Sequence, residues 1–129
     1  MLRLNKVHHI AIICSDFEKS KHFYVNILGF TIIKEVYRAE RLSHKLDLAL
    51  NGEYVIELFS FPDPPQRVSQ PEARGLRHLA FEVDSVAEVI AYLTKSGIAC
   101  ESARIDPFTQ KPFTFTSDPD GLPIEFYEK

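Results

Sequence analysis

The chain has 129 residues, of which 45% are hydrophobic and 26% charged, with a net charge of −3 and a pI near 5.9. That is the size and balance of one soluble domain able to bury a core. No basic run points to nucleic acid or an anionic membrane surface, and no apolar run reaches the roughly 18 residues that cross a bilayer.

The N-terminus, MLRLNKVHH, has no apolar signal core, so a cytoplasmic protein is expected. VHHIAI opens a short apolar strand over about 6–13. A helix follows over 16–28. Ser15 and Glu18 form an S-x-x-E capping box, Phe17, Tyr24, Ile27 and Leu28 share one face, and Gly29 suits the left-handed stop. Strands are expected at 30–38, 45–51 and 54–60, with Asn51-Gly52 as a hairpin turn. Residues 61–75 contain four prolines and read as an ordered linker. A second series then begins. It comprises a strand at 77–83, a helix at 85–96 and strands at 98–104, 112–117 and 122–127. Its helix has the box Ser85–Glu88, the face Val86, Val89, Ile90 and Leu93, and the stop Gly97, and Asp118–Gly121 is a tight turn before the last strand. Cys14 and Cys100 lie far apart, form no CxxC motif, and read as two reduced thiols.

The two series are one module written twice. VHHIAIICSDFEKSKHFYVNILGF (7–30) aligns with LRHLAFEVDSVAEVIAYLTKSGI (76–98), and YVIELFSF (54–61) with LPIEFYEK (122–129). Ser15 and Ser85 are 70 residues apart, His9 and His78 are 69, and Glu57 and Glu125 are 68. Within a copy, His9 to Glu57 spans 48 residues and His78 to Glu125 spans 47. The expected layout is module one over 1–60, linker 61–75 and module two over 76–129, forming a single domain.

Strand alternation puts Ile10 and Ile12 on one face and His9, Ala11 and Ile13 on the other. It likewise separates Leu79, Phe81 and Val83 from His78, Ala80 and Glu82, and groups Glu57 with Val55 and Phe59, and Glu125 with Pro123 and Tyr127. The greasier faces should pack on the helices. A lone strand histidine is usually a hydrogen-bonded core residue, and a lone glutamate can be paired with an arginine or sit on a wet edge. Two of each at repeated spacing point instead to a shared site, because an ionised carboxylate out of water costs several kcal/mol unless paired or metal-bound. Two imidazoles and two carboxylates offset a 2+ charge. Without thiolate they suit Ni²⁺, Co²⁺, Zn²⁺, Fe²⁺ or Mn²⁺, and a six-coordinate ion would keep two positions for a substrate with neighbouring oxygens.

HHIAI with its capping box and LGF, VIELF, RHLAFEV and DPDGLPIEF together resemble the vicinal oxygen chelate superfamily, through essentially the whole chain. The resemblance implies an α+β fold of two βαβββ modules whose curved mixed sheets enclose a metal cleft. The His, Glu, His, Glu series is similar to bacterial glyoxalase I, or lactoylglutathione lyase. That likeness makes His9, Glu57, His78 and Glu125 the metal ligands. It makes Glu125 the general base that moves a proton between C1 and C2 of a thiohemiacetal, with Glu57 assisting from the opposite face. The family's arginine four residues past the first ligand is Ile13 here, and the asparagine after the second is Ser60 or Phe61. The thiol is therefore open, and Arg38, Arg41, Lys45 or Arg74 stand as alternative anion contacts. The resemblance also implies a homodimer, with the site within one chain or between chains. Rival readings are a thiol transferase or ring-cleaving dioxygenase on the same scaffold, or a non-enzymatic small-molecule binder. His8 is expected to point away from His9, His22 and His44 to lie at the surface, and DPFTQKPFTF (106–115) to wall a pocket or pack in the core.

Overall fold

In the computed structural model, which describes every residue from Met1 to Lys129, the chain divides into two units, Met1–Pro65 and Gln66–Lys129. The first runs β1 (Ile10–Cys14), α1 (Phe17–Lys21) continued by a π-helical turn (His22–Ile27), β2 (Thr31–Arg38), a 3₁₀ turn (Ala39–Arg41), β3 (Ser43–Leu50) and β4 (Glu53–Ser60). The second runs β5 (Leu79–Val83), α2 (Val86–Lys95), β6 (Arg104–Ile105), β7 (Pro112–Ser117) and β8 (Pro123–Glu128). Each unit folds its strands into one four-stranded mixed sheet. The orders are β1-β4-β3-β2 and β5-β8-β7-β6, with β1–β4 and β5–β8 parallel and the rest antiparallel. This is the α+β architecture of two βαβββ modules expected from the repeat. No helix is long and apolar enough to cross a membrane.

Alternation sorts the side chains as anticipated. Ile12, Cys14, Leu46, Leu48, Ile56 and Leu58 are buried with Phe17, Phe23, Tyr24 and Phe30 of the helical side. In the second unit Leu79, Ile124 and Phe126 are buried with Val86 and Leu93 of α2. Each such side chain contributes about 1.5–3 kcal/mol by leaving water. Ala11, Ile13, Ala80 and Glu82 stay exposed on the opposite faces.

Local chemistry differs from the expectation in three places. The first helix starts at Phe17 and is capped by Asp16, one residue later than the Ser15 box would place the cap; its carboxylate accepts from the Lys19 N–H at 3.1 Å. Ser85 does cap α2, accepting from the Glu88 N–H at 3.3 Å. The first helix also widens: the Leu28 N–H bonds to the Phe23 carbonyl, five residues back, at 2.9 Å. The wider turn lets the adjacent Phe23 and Tyr24 both face the core. Finally, the strand expected at 98–104 shrinks to two residues. The Glu101 N–H bonds to the Phe115 carbonyl at 3.0 Å, while the Thr114 and Thr116 hydroxyls, rather than backbone N–H groups, donate to the Glu101 and Ala99 carbonyls at 2.8 and 2.6 Å. The turns hold as expected: Asn51 and Gly52 both have positive φ, and the Asp118 carboxylate accepts from the N–H groups of Asp120 and Leu122.

Candidate functional site

Glu57 lies on β4 opposite Ala11 of β1 and Asp47 of β3, on the face turned away from the buried Ile56 and Leu58. Alanine leaves the space beside it empty of side chain, and the His9 imidazole occupies it, Nε2 lying 3.8 Å from Glu57 Oε1. The second unit repeats the arrangement. Glu125 of β8 lies opposite Ala80 of β5 and Phe115 of β7, and His78 Nε2 is 3.0 Å from Glu125 Oε2. Both carboxylates are largely shielded, with side chains 17% and 15% exposed.

Two donors held about 2.1 Å from one cation lie ~3.0 Å apart at a right angle and ~3.4 Å apart at a tetrahedral angle. The His78–Glu125 separation of 3.0 Å matches the right-angle value, and the His9–Glu57 separation of 3.8 Å is wider than either. The donor chemistry, imidazole nitrogen beside carboxylate oxygen, fits a borderline divalent ion. Neither pair gains a third His, Cys, Asp or Glu able to complete a set of three. Each module therefore offers two of the donors such an ion needs.

The supports of the two pairs differ. In module one the Lys45 ammonium sits 2.7 and 2.9 Å from the Asp47 carboxylate oxygens and 3.4 Å from Glu57 Oε2. The Tyr54 hydroxyl lies 3.0 Å from Asp47 Oδ1 and 3.1 Å from Glu57 Oε2, sharing its one proton between them. The Asp47 hydrogen bond holds the Lys45 ammonium above its usual 10.5. Burial, followed by the bonds to Asp47 and Glu57, pushes the Tyr54 phenol above its usual 10.0. In module two the equivalent positions are Phe113, Phe115 and Leu122. Phe115 meets the His78 ring edge-on at 5.2 Å. Glu57 is therefore anchored through Oε2 by a cation and a phenol, whereas His78 is the sole polar side chain bonded to Glu125.

The pattern of the glyoxalase/bleomycin resistance protein/dioxygenase superfamily matches residues 6–126. The chain belongs to this superfamily. It is 62% identical over 129 residues to the uncharacterized protein YaeR of Escherichia coli (strain K12), covering all of both chains. The crystal structure of a glyoxalase family protein from Enterococcus faecalis superposes with a TM-score of 0.89 at 48% identity, covering 95% of this chain and 97% of that one. At greater distance, lactoylglutathione lyase of Salmonella typhimurium (strain LT2) is 28% identical over 128 residues, covering 93% of this chain and 90% of that protein.

Several side chains of this superfamily member behave unlike their expectations. β1 starts only at Ile10, so strand alternation does not reach His8. Instead of pointing away, His8 brings Nδ1 to 2.8 Å from His9 Nδ1, and both rings pack on Tyr54. Were the shared proton on His9 Nδ1, His9 Nε2 would present the lone pair a metal requires, with His8 orienting the ring. His44 is not in a surface loop but on β3, stacked on Phe17 at 4.3 Å. His22 is exposed as expected. Of the cations named as anion contacts, Lys45 is held by Asp47 and Glu57, Arg41 and Arg74 are exposed, and Arg38 lies half-buried over two phenylalanine rings. Within 106–115, Phe113 and Phe115 line the open face while Phe108 is fully exposed.

Asp47 and Tyr54 were missed from sequence alone. One signal was available: HKLDLAL alternates Lys45 and Asp47 with Leu46 and Leu48, marking a polar face within a core strand.

Proposed function

We propose that this protein is a divalent-metal-dependent lyase of the glyoxalase I type, converting a 2-oxoaldehyde–thiol hemithioacetal into a 2-hydroxyacyl thioester. The reading rests on one observation above all: two His–Glu pairs, one per module, with an imidazole nitrogen facing a carboxylate oxygen at 3.8 Å in the first and at 3.0 Å, the separation of neighbouring ligands on a cation, in the second. His9, Glu57, His78 and Glu125 are the proposed ligands, and a homodimer, cytoplasmic, is the proposed assembly. The likeness to lactoylglutathione lyase supports the reaction class.

A bound divalent ion would supply Lewis-acid stabilisation of the charge that develops on the substrate's two neighbouring oxygens. The chain's own residues supply the rest. Glu125, without the Lys and Tyr that hold Glu57, is free to leave His78 and take the carbon-bound proton from C1. It returns that proton to C2, while the hydroxyl proton passes from the C1 oxygen to the C2 oxygen. The isomerisation balances without an oxidant or reductant. Glu57, anchored through Oε2, keeps its ligand position and orients the site. Phe113 and Phe115 exclude water from the Glu125 side.

The test is metal analysis of the purified protein, followed by methylglyoxal consumption with a panel of thiols. Glu125→Gln should lose at least ~100-fold in turnover while retaining bound metal. Equal loss of both would remove Glu125 as base. Metal with oxygen uptake on catechols and no lyase turnover would identify a dioxygenase, and a folded protein that takes no metal would identify a binding module.

A further inference from the structure

We propose that the Arg38 guanidinium is an oxyanion subsite on the same sheet face as the His9–Glu57 pair. It would take the carboxylate or phosphonate end of an elongated substrate. The idea uses the proposed lyase reading only for what the substrate's other end does.

The placement follows from register. Glu57, Phe59 and Phe61 fall successively along the open face of β4 and its exit. Ile13 stands opposite Phe59 on one side and Lys45 on the other, with Val36 beyond Lys45. Arg38, opposite Ser43, closes the far edge. Its guanidinium carbon lies 4.9 Å from the Phe59 ring centre and 5.8 Å from that of Phe61, and these two rings stack 17° from parallel. Phe59 is two residues from Glu57, so the guanidinium sits about 7 Å along the strand from the carboxylate pair.

The charge there is unanswered. Arg38 makes no ion pair; one nitrogen, Nη2, donates to the Ser43 hydroxyl at 3.0 Å. Its Nε is buried and has no acceptor. A buried N–H of a cation left without a partner costs free energy, and an anion held by the same guanidinium would offset the unanswered charge. Ring contacts stabilise the cation but satisfy no donor. The other basic groups near such rings are already paired. Lys45 is held by Asp47 and Glu57. In module two, Arg104 lies over Phe113 and Phe115 at 4.9 and 5.4 Å, yet its Nη2 is 2.9 Å from Glu101. Two modules thus place a guanidinium on a phenylalanine pair, and only the one in module one lacks its carboxylate. The guanidinium N–H groups not bonded to Ser43, set on a flat apolar platform, are suited to a planar carboxylate or a phosphonate. The apolar Ile13 and Phe59 between the two ends would accommodate a short carbon chain.

The first arm of the test needs no metal. Arginine Nε–H resonances of the full-length ¹⁵N-labelled chain are followed during titration with propylphosphonate, against propanol and chloride at matched ionic strength. One resonance, missing from Arg38→Lys, should shift saturably with the phosphonate alone, with a midpoint in the millimolar range. Absence of a saturable shift, or the same shift with chloride, would overturn the subsite. The second arm compares glutaric acid monohydroxamate with its methyl ester on zinc-loaded protein by calorimetry. The acid should bind ~10- to 100-fold tighter. Arg38→Met and Arg38→Lys should each reduce that ratio to within about 3-fold, the lysine variant covering the case in which methionine fails to fold. A ratio unchanged by both variants, or near one in the wild type, would refute the proposal. Failure to load zinc would defeat the metal reading while the first arm still decides Arg38.

Discussion

Replacing Lys45 by methionine keeps the aliphatic stem and removes the one cation between Asp47 and Glu57. These carboxylates stand directly opposite each other on β3 and β4, with side chains 13% and 17% exposed, and Lys45 itself is 26% exposed. At an effective dielectric constant of about 20, the ammonium at ~2.8 and ~3.4 Å attracts them with gross energies of ~6 and ~5 kcal/mol. Most of this is offset by desolvation. Breaking a fully buried pair costs about 3–5 kcal/mol and an exposed one about 0.2–1 kcal/mol. For these half-shielded groups a loss of ~2 kcal/mol is expected, including the repulsion of like charges across the strands. In a chain of this length that lowers the melting midpoint by ~6–8 °C. Adding Asp47→Asn should recover more than half of the loss, because one negative charge then remains where two did. Thermal and urea unfolding of metal-free wild type, Lys45→Met and the double variant would measure this. A single-variant loss below ~0.5 kcal/mol, or no recovery in the double variant, would refute the electrostatic account of how Glu57 is held.

Three further outcomes are expected. Tyr54→Phe removes the hydroxyl shared by Asp47 and Glu57, so urea unfolding should show a loss of ~1–2 kcal/mol, and metal titration a weaker affinity. Asp16→Ala should cost about 1 kcal/mol, matching Ser85→Ala, since each removes a cap that accepts a backbone N–H; denaturation midpoints would compare them. The Phe108 N–H, then the Tyr127 hydroxyl, hold the Asp106 carboxyl below its ordinary 3.8. Its stabilising contribution is therefore fully present above that value and is lost as pH falls through the lower folded value. Carboxyl NMR titration should find the Asp106 midpoint below 3.8, rising in Tyr127→Phe.

Much of the architecture was legible because it is written locally and twice. Alternation in IAIIC, YVIELFSF and HLAFEV separates core from open faces, and glycines at 29 and 97 end the helices. His9, Glu57, His78 and Glu125 stood out because polar residues at repeated spacing in apolar strands are hard to explain singly. The structure brings them together as two pairs, each within its module. The first cap and the π turn were not legible: Ser15 and Asp16 are equally good caps, and the choice depends on which residue the packed helix places at its start.

The sequence by itself determined the duplicated α+β module, its turns and the four ligand-type residues, since these follow from side-chain period and backbone preference. Only the tertiary structure decided how Glu57 is held. An uninterrupted Asn51-Gly52 hairpin, pairing Leu50 with Glu53, would set Asp47 opposite Ile56 and send it toward the core. A bulge after Leu48 leaves Val55 without a partner opposite and moves Asp47 to face Glu57. That one-residue shift settles which side of the sheet receives a charge. It is set by the burial of Leu46, Leu48, Ile56 and Leu58 against the helical layer, an energy that no short stretch of chain contains.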